Sequence, residues 1–112
     1  MQRREAWQYR RVKMIDYHPE RPYLGMDAME RFTALSKSIA MRYGKAVKAR
    51  PLSNREYQRR FDKLGPQNNM MPPPGSAVHI MPGYLVVRNL GTSRQYETWM
   101  PDHVFEEIYK QV

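Results

Sequence analysis

The chain has 112 residues, no cysteine and a net charge of +8 at pH 7, which allows one domain with a single modest core and excludes disulfides and thiolate metal sites. No apolar run approaches the ~20 residues needed to span a bilayer. The basic opening, MQRREAWQYRRVK, lacks the hydrophobic segment that would follow it in a secretory signal. The expectation is a soluble cytoplasmic protein without membrane contact.

The charge is unevenly placed. Residues 1–63 hold 16 Lys/Arg against 7 Asp/Glu, whereas residues 64–112 hold 3 against 4. A basic half joined to a near-neutral half suggests that one surface meets an anionic partner.

In chain order, residues 1–8 read as a basic flexible arm carrying Arg3, Arg4 and Trp7, and residues 9–112 as one small domain. Tyr9–Tyr17 has the β-formers of a strand, which His18-Pro19 would end. Asp27-Ala28-Met29-Glu30 has the spacing of a capping box and predicts a helix to Tyr43, stopped by Gly44. Met29, Phe32, Leu35, Ile39 and Tyr43 would then share one face, opposite Arg31, Lys37, Ser38 and Arg42. Lys45–Arg50 reads as a linker or a short edge strand. Ser53-Asn54-Arg55-Glu56 is a second capping box, with Gly65-Pro66 as the stop of the helix it opens. Tyr57, Phe61 and Leu64 fall on one side of that helix, and Arg55, Arg59 and Lys63 on another. A row of like charges at this spacing gains nothing from itself, so it is either solvated or a contact surface.

Residues 66–76 read as a proline-rich linker, since PPP favours polyproline II geometry. Val78–Met81 and Tyr84–Leu90 are predicted strands, with turn residues Pro82-Gly83 between them. Gly91-Thr92-Ser93 then leads to a third, antiparallel strand at Gln95–Met100. Asp102 would cap a last helix with Val104, Phe105, Ile108, Tyr109 and Val112 on one side. The expected fold is α+β: a small antiparallel sheet of three or four strands packed by two or three helices.

This last stretch, Pro82–Val112, resembles the PGDYG family of small bacteriophage and prophage proteins, whose C-terminus reads roughly PGDYIVxGVxGExWPxxPDxFExxYxxV. The matching residues are Pro82, Gly83, Val86, Val87, Glu97, Trp99, Asp102, Phe105, Glu106, Tyr109 and Val112. Tyr84 stands where the motif has Asp, and the loop before Glu97 is longer. The basic run Tyr9–Ile15 resembles the opening strand of many phage members. The resemblance implies a phage or prophage origin and no particular reaction. Trp99, Phe105 and Tyr109 are expected in the core. Glu97 shares the sheet face of Trp99 and would need a partner such as Arg88 or Lys13 if buried, as a structural pair; without one it would be a candidate functional carboxylate.

Catalytic patterns are absent. His18, His79 and His103 form no metal-binding spacing, there is no phosphate-binding glycine loop, and no serine sits in a nucleophile elbow. The expectation is a non-enzymatic protein with no cofactor and no metal. It would bind an anionic macromolecule, either an acidic host-protein surface or RNA/DNA. The candidate contacts are Arg3, Arg4, Trp7, Arg10, Arg11 and Lys13 on the arm and first strand, and Arg55, Arg59, Arg60 and Lys63 on the second helix. The alternative is a virion or assembly component whose arm and linker order on neighbouring subunits.

Overall fold

The computed structural model of the protein describes residues 20–74 and 79–112. After two 3-10 turns, Arg21–Tyr23 and Met26–Ala28, these form β1 (Glu30–Ala34), α1 (Lys37–Tyr43), β2 (Ala46–Pro51), α2 (Asn54–Asn68), β3 (Gly83–Arg88), β4 (Tyr96–Pro101), α3 (Asp102–Ile108) and β5 (Tyr109–Gln111). The strands make one sheet in the order β4-β3-β2-β1-β5, every neighbouring pair antiparallel. This is the α+β class expected, with five strands rather than three or four.

The sheet has a core on each side, because alternate strand residues point opposite ways. On one side Phe32, Val47, Ala49, Tyr84, Val86 and Met100 pack with Phe105 and Tyr109, under α1 and α3. Phe105 stacks on Tyr84 at 4.3 Å between ring centroids and on Tyr109 at 5.2 Å, and the Tyr109 hydroxyl donates to the Gly44 carbonyl at 2.7 Å. On the other side Leu85, Val87 and Trp99 pack with Leu52, Tyr57 and Met70, under α2. The segment Arg21–Met29 lies against α2 and adds Leu24, Met26 and Met29 to this second core.

The second capping box is formed as expected. Ser53 Oγ accepts from the Glu56 N–H at 3.2 Å, and Glu56 Oε1 accepts from the Ser53 N–H at 2.9 Å. Asn54, at the head of α2, also ties down the strand's approach: its side chain donates to the His79 carbonyl and accepts from the Met81 N–H.

Several expectations are corrected. Asp27-x-x-Glu30 opens no long helix: residues 26–28 make one 3-10 turn, and Glu30–Ala34 is a strand paired on both edges. Pairing with β2 and β5 overrides the local helical spacing, and it sends Met29 and Phe32 to opposite cores rather than to one face. The helix that remains starts at Lys37, where Ser36 Oγ caps the Ile39 N–H at 3.2 Å. Lys45–Arg50 contributes β2, a central strand. Gly65-Pro66 does not stop α2, which runs to Asn68 and ends on Asn69 in the left-handed region at φ 55°. The extra turn is held by β4: the Asn69 carbonyl accepts from the Glu97 N–H, and the Glu97 carbonyl accepts from the Met71 N–H at 2.8 Å. The expected linker therefore begins after Met71. Residues 79–81 belong to no strand, and Gly83 begins β3 instead of turning the chain. Tyr109 belongs to β5 rather than to the last helix, and Val112 is exposed. Trp99 lies on the face opposite Phe105 and Tyr109. The strand expected at Tyr9–Tyr17 and the arm at 1–8 lie outside the described residues.

Candidate functional site

Most residues shared with the PGDYG motif are buried here, from Gly83, Val86 and Val87 to Glu97, Trp99, Asp102, Phe105 and Tyr109, whereas Glu106 and Val112 are exposed. Gly83 is required by close approach: a Cβ added to it would collide with Trp99 Cζ2 and with the Met100 carbonyl oxygen. The indole thus presses onto the β3 backbone, and its Nε1–H donates to the Leu52 carbonyl at 2.7 Å. Tyr84, in place of the motif's Asp, reaches Glu106 Oε2 with its hydroxyl at 3.0 Å.

Glu97 is buried and paired, by a residue that the sequence placed elsewhere. Arg60, read as a surface cation of the second helix, is only 3 % exposed. Its Nε donates to Glu97 Oε1 at 2.7 Å and its Nη2 to Oε2 at 3.0 Å. Its Nη1 donates to the Pro22 and Leu24 carbonyls, both at 2.8 Å. Asn68 Nδ2 adds a third donor to the carboxylate at 3.3 Å. Positions 57, 60, 61 and 64 of α2 all turn inward, so Arg60 sits on the packing side of its helix. Arg88 points to the other face, where it donates to the Tyr43 carbonyl at 3.3 Å and lies over the Tyr43 ring at 5.0 Å. Lys13 is outside the described residues.

The Arg60–Glu97 pair forms the floor of an open polar cleft of about 730 Å³, whose walls include Tyr23, Asn68, Asn69 and Gln95. Glu97 accepts three hydrogen bonds and Arg60 donates four, so the pair ties α2, β4 and the segment before β1 together as structural partners. Nearby, burial first and the Glu97 carboxylate second push the Tyr57 hydroxyl well above the usual tyrosine value, and that hydroxyl donates to the Met71 carbonyl at 2.6 Å. Among the described residues no cluster of three His, Asp or Glu could hold a metal ion, and no helix is long and apolar enough to cross a membrane.

The other candidate contacts separate. Arg3, Arg4, Trp7, Arg10, Arg11 and Lys13 lie outside the described residues. Arg55, Arg59 and Lys63 are exposed on the outer side of α2. Arg55 and Arg59 border a shallow depression of about 400 Å³ with Gln58 and Asp62, where the Gln58 side chain donates to Asp62 at 2.9 Å.

A basic surface that the sequence did not single out lies on the sheet itself. Lys48 is the register partner of Val87, whose side chain faces α2, so Lys48 points to the α2 side. Arg31 is the partner of Lys48, and Thr33 is the partner of both Ala46 and Lys110, so these residues share that face with Arg50. Yet α2 packs over β4, and its core cluster draws sheet residues from β3 and β4 alone. The half of this face on β2, β1 and β5 therefore carries Arg31, Thr33, Ala46, Lys48, Arg50 and Lys110, all exposed except Thr33 and Lys48, which are half-buried. Among the described residues no carboxylate pairs with any of the four cations. Arg31 and Lys48 stand directly opposite each other across the β1–β2 ladder, an arrangement that destabilises a sheet. The sequence signal was present: AVKARP alternates buried Val47 and Ala49 with outward Lys48 and Arg50. Arg31 lies in a stretch of helical spacing and Lys110 beside the last predicted helix, so the strand pairing that joins all four is not visible in the sequence.

Comparison with protein-family models, with curated proteins and with solved structures finds no match to this chain.

Proposed function

We propose that this chain is a small non-enzymatic protein that holds an anionic macromolecule on the open half of its sheet. One observation carries the reading: four cations, Arg31, Lys48, Arg50 and Lys110, occupy the open half of one sheet face, none of them paired with a carboxylate among the described residues and two of them in direct register. Folding gains nothing from that juxtaposition, and a polyanion neutralises it. The cations of residues 1–13 and the exposed Arg55, Arg59 and Lys63 belong to the same reading as further contacts. Arg60 does not, because its charge is consumed by Glu97. The resemblance of Pro82–Val112 to PGDYG proteins supports a phage or prophage origin, and with it a working place in the cytoplasm of a bacterial host. An assembly component that orders on its neighbours is the weaker alternative, since residues 69–71, inside the stretch read as the linker, are already paired with Glu97 of β4.

Retention on a heparin resin tests the proposal. The variant R31E/K48E should elute at clearly lower salt than the wild type while keeping its far-ultraviolet circular dichroism. Elution of both at the same salt would refute it.

A further inference from the structure

The open sheet half also bears on which anionic macromolecule is bound, and this step rests on the function just proposed. The geometry points to nucleic acid, gripped through its phosphates and without reading of sequence, as the occupant of the β2-β1-β5 face.

The composition of the face makes the choice. A protein partner held tightly is anchored by buried aromatic or large aliphatic side chains, with charge left to the rim. Within the strands the outward residues are Arg31, Thr33, Ala46, Lys48, Arg50 and Lys110, with no aromatic and no aliphatic larger than alanine; Val112, just past β5 with its N–H on the Arg31 carbonyl, adds one exposed aliphatic at the edge. An acidic protein surface would find a patch of cations with no apolar anchor at its centre. A phosphate backbone needs only what is present: guanidinium and ammonium groups for phosphate oxygens and a threonine hydroxyl among them.

The spacing is also suitable. Lys48 and Arg50 are two residues apart on one strand, which separates them by roughly 7 Å. Arg31 faces Lys48 from the next strand, and Lys110 lies one strand further out on β5. The cations thus spread across three adjacent strands, about 4.8 Å from one strand to the next, as a patch rather than a point. The described residues of the face include no stacking ring and no Asn or Gln, and arginines and lysines spread over a broad sheet surface engage phosphates wherever the backbone lies, so binding is expected to be largely indifferent to sequence.

The test is fluorescence anisotropy with the full chain and four labelled probes: single-stranded RNA, single-stranded DNA, duplex DNA and poly-glutamate, each at several salt concentrations. At low salt, at least one nucleic acid should bind more tightly than about 100 μM, the weak end of ordinary non-specific binding. Two unrelated sequences of the same strand type should agree within about threefold. The variant R31A/K48A removes two phosphate contacts, so the slope of log K against log salt should become shallower by roughly 1.4 on single strands or 1.8 on duplex. Q111A, which changes an exposed residue of β5 on the opposite face, should leave that slope unchanged. Binding to poly-glutamate with none to any nucleic acid would overturn the assignment and leave the polyanion reading standing. Binding to none of the four would overturn both. Nucleic-acid binding whose slope is unaltered by R31A/K48A would remove this face as the site.

Discussion

Removal of Arg60 should be among the most damaging single changes in the molecule. Arg60→Met deletes four hydrogen bonds, two to Glu97 and one each to the Pro22 and Leu24 carbonyls. It leaves the Glu97 carboxylate 5 % exposed, with Asn68 Nδ2 at 3.3 Å as its remaining side-chain donor. A buried ion pair adds little net stability over apolar residues of similar size, but breaking one side of it costs about 3–5 kcal/mol. Against a total of roughly 5–15 kcal/mol for a domain of this kind, that is between a fifth and all of the stability. With an m-value of about 1.5 kcal/mol per M urea, the midpoint should fall by about 2–3 M. The assay is urea unfolding followed by tryptophan fluorescence, since Trp99 lies in the same core cluster. Glu97→Leu alone should cost a similar amount, because it strands the guanidinium. The double variant Arg60→Met/Glu97→Leu should recover most of the loss, retaining a cost near 2 kcal/mol for two carbonyls without donors. Strict additivity of the two single changes, or a cost below about 1 kcal/mol for Arg60→Met, would refute the assignment of Arg60 to the interior.

Three further outcomes follow from the packing. Gly83→Ala places a methyl group against the Trp99 ring and the Met100 carbonyl; the backbone contact cannot swing away, so thermal denaturation should show a loss of at least about 2–3 kcal/mol, and a melting point within a degree of wild type would contradict the close approach. Ser53→Ala removes one half of the capping box and should lower stability by about 1 kcal/mol in the same assay, with no change counting against the cap. Tyr57 is held neutral by burial, with a folded-state pKa above that of an unfolded tyrosine. Its contribution is therefore complete below about pH 10 and is lost as pH climbs past it. Tyr57→Phe should flatten the alkaline limb of a stability–pH curve without abolishing it, because burial raises Tyr109 too. An alkaline limb identical to wild type would contradict this.

The second capping box, the β3–β4 hairpin and the buried aromatics of the motif were legible because each is a local signal: an Ser-x-x-Glu spacing, a turn between two apolar runs, a repeated aromatic. The failures share one cause. Glu30–Ala34 and Ala46–Pro51 contain few strong β-formers, and they are strands because each has a partner on both edges, supplied by chain up to some 79 residues away, as in the pairing of Phe32 with Gln111. Local spacing carries no information about such partners, so Asp27-x-x-Glu30 suggested a helix. The same blindness displaced the candidate site. Arg60 is one of three arginines in residues 55–60, yet its spacing of three from Tyr57 and four from Leu64 sets it on the packing side of α2, a signal present in the sequence and masked there by the residue's charge. Arg31, Lys48, Arg50 and Lys110 are scattered over 80 positions and become one surface only through strand order.

That strand order sets a timetable for the surface. β5 is the last element in chain order, yet it closes β1, with the Tyr109 hydroxyl reaching Gly44 and the Val112 N–H reaching the Arg31 carbonyl at 3.1 Å. A chain still being synthesised can pair β1 with β2 and leave the other edge of β1 bare, and Lys110 is not yet present. The patch around Arg31 is thus braced and completed only when the final strand docks. A nascent chain, or one clipped before β5, would carry Arg31, Lys48 and Arg50 without Lys110 or the strand that braces them, which ties capture of a partner to docking of β5.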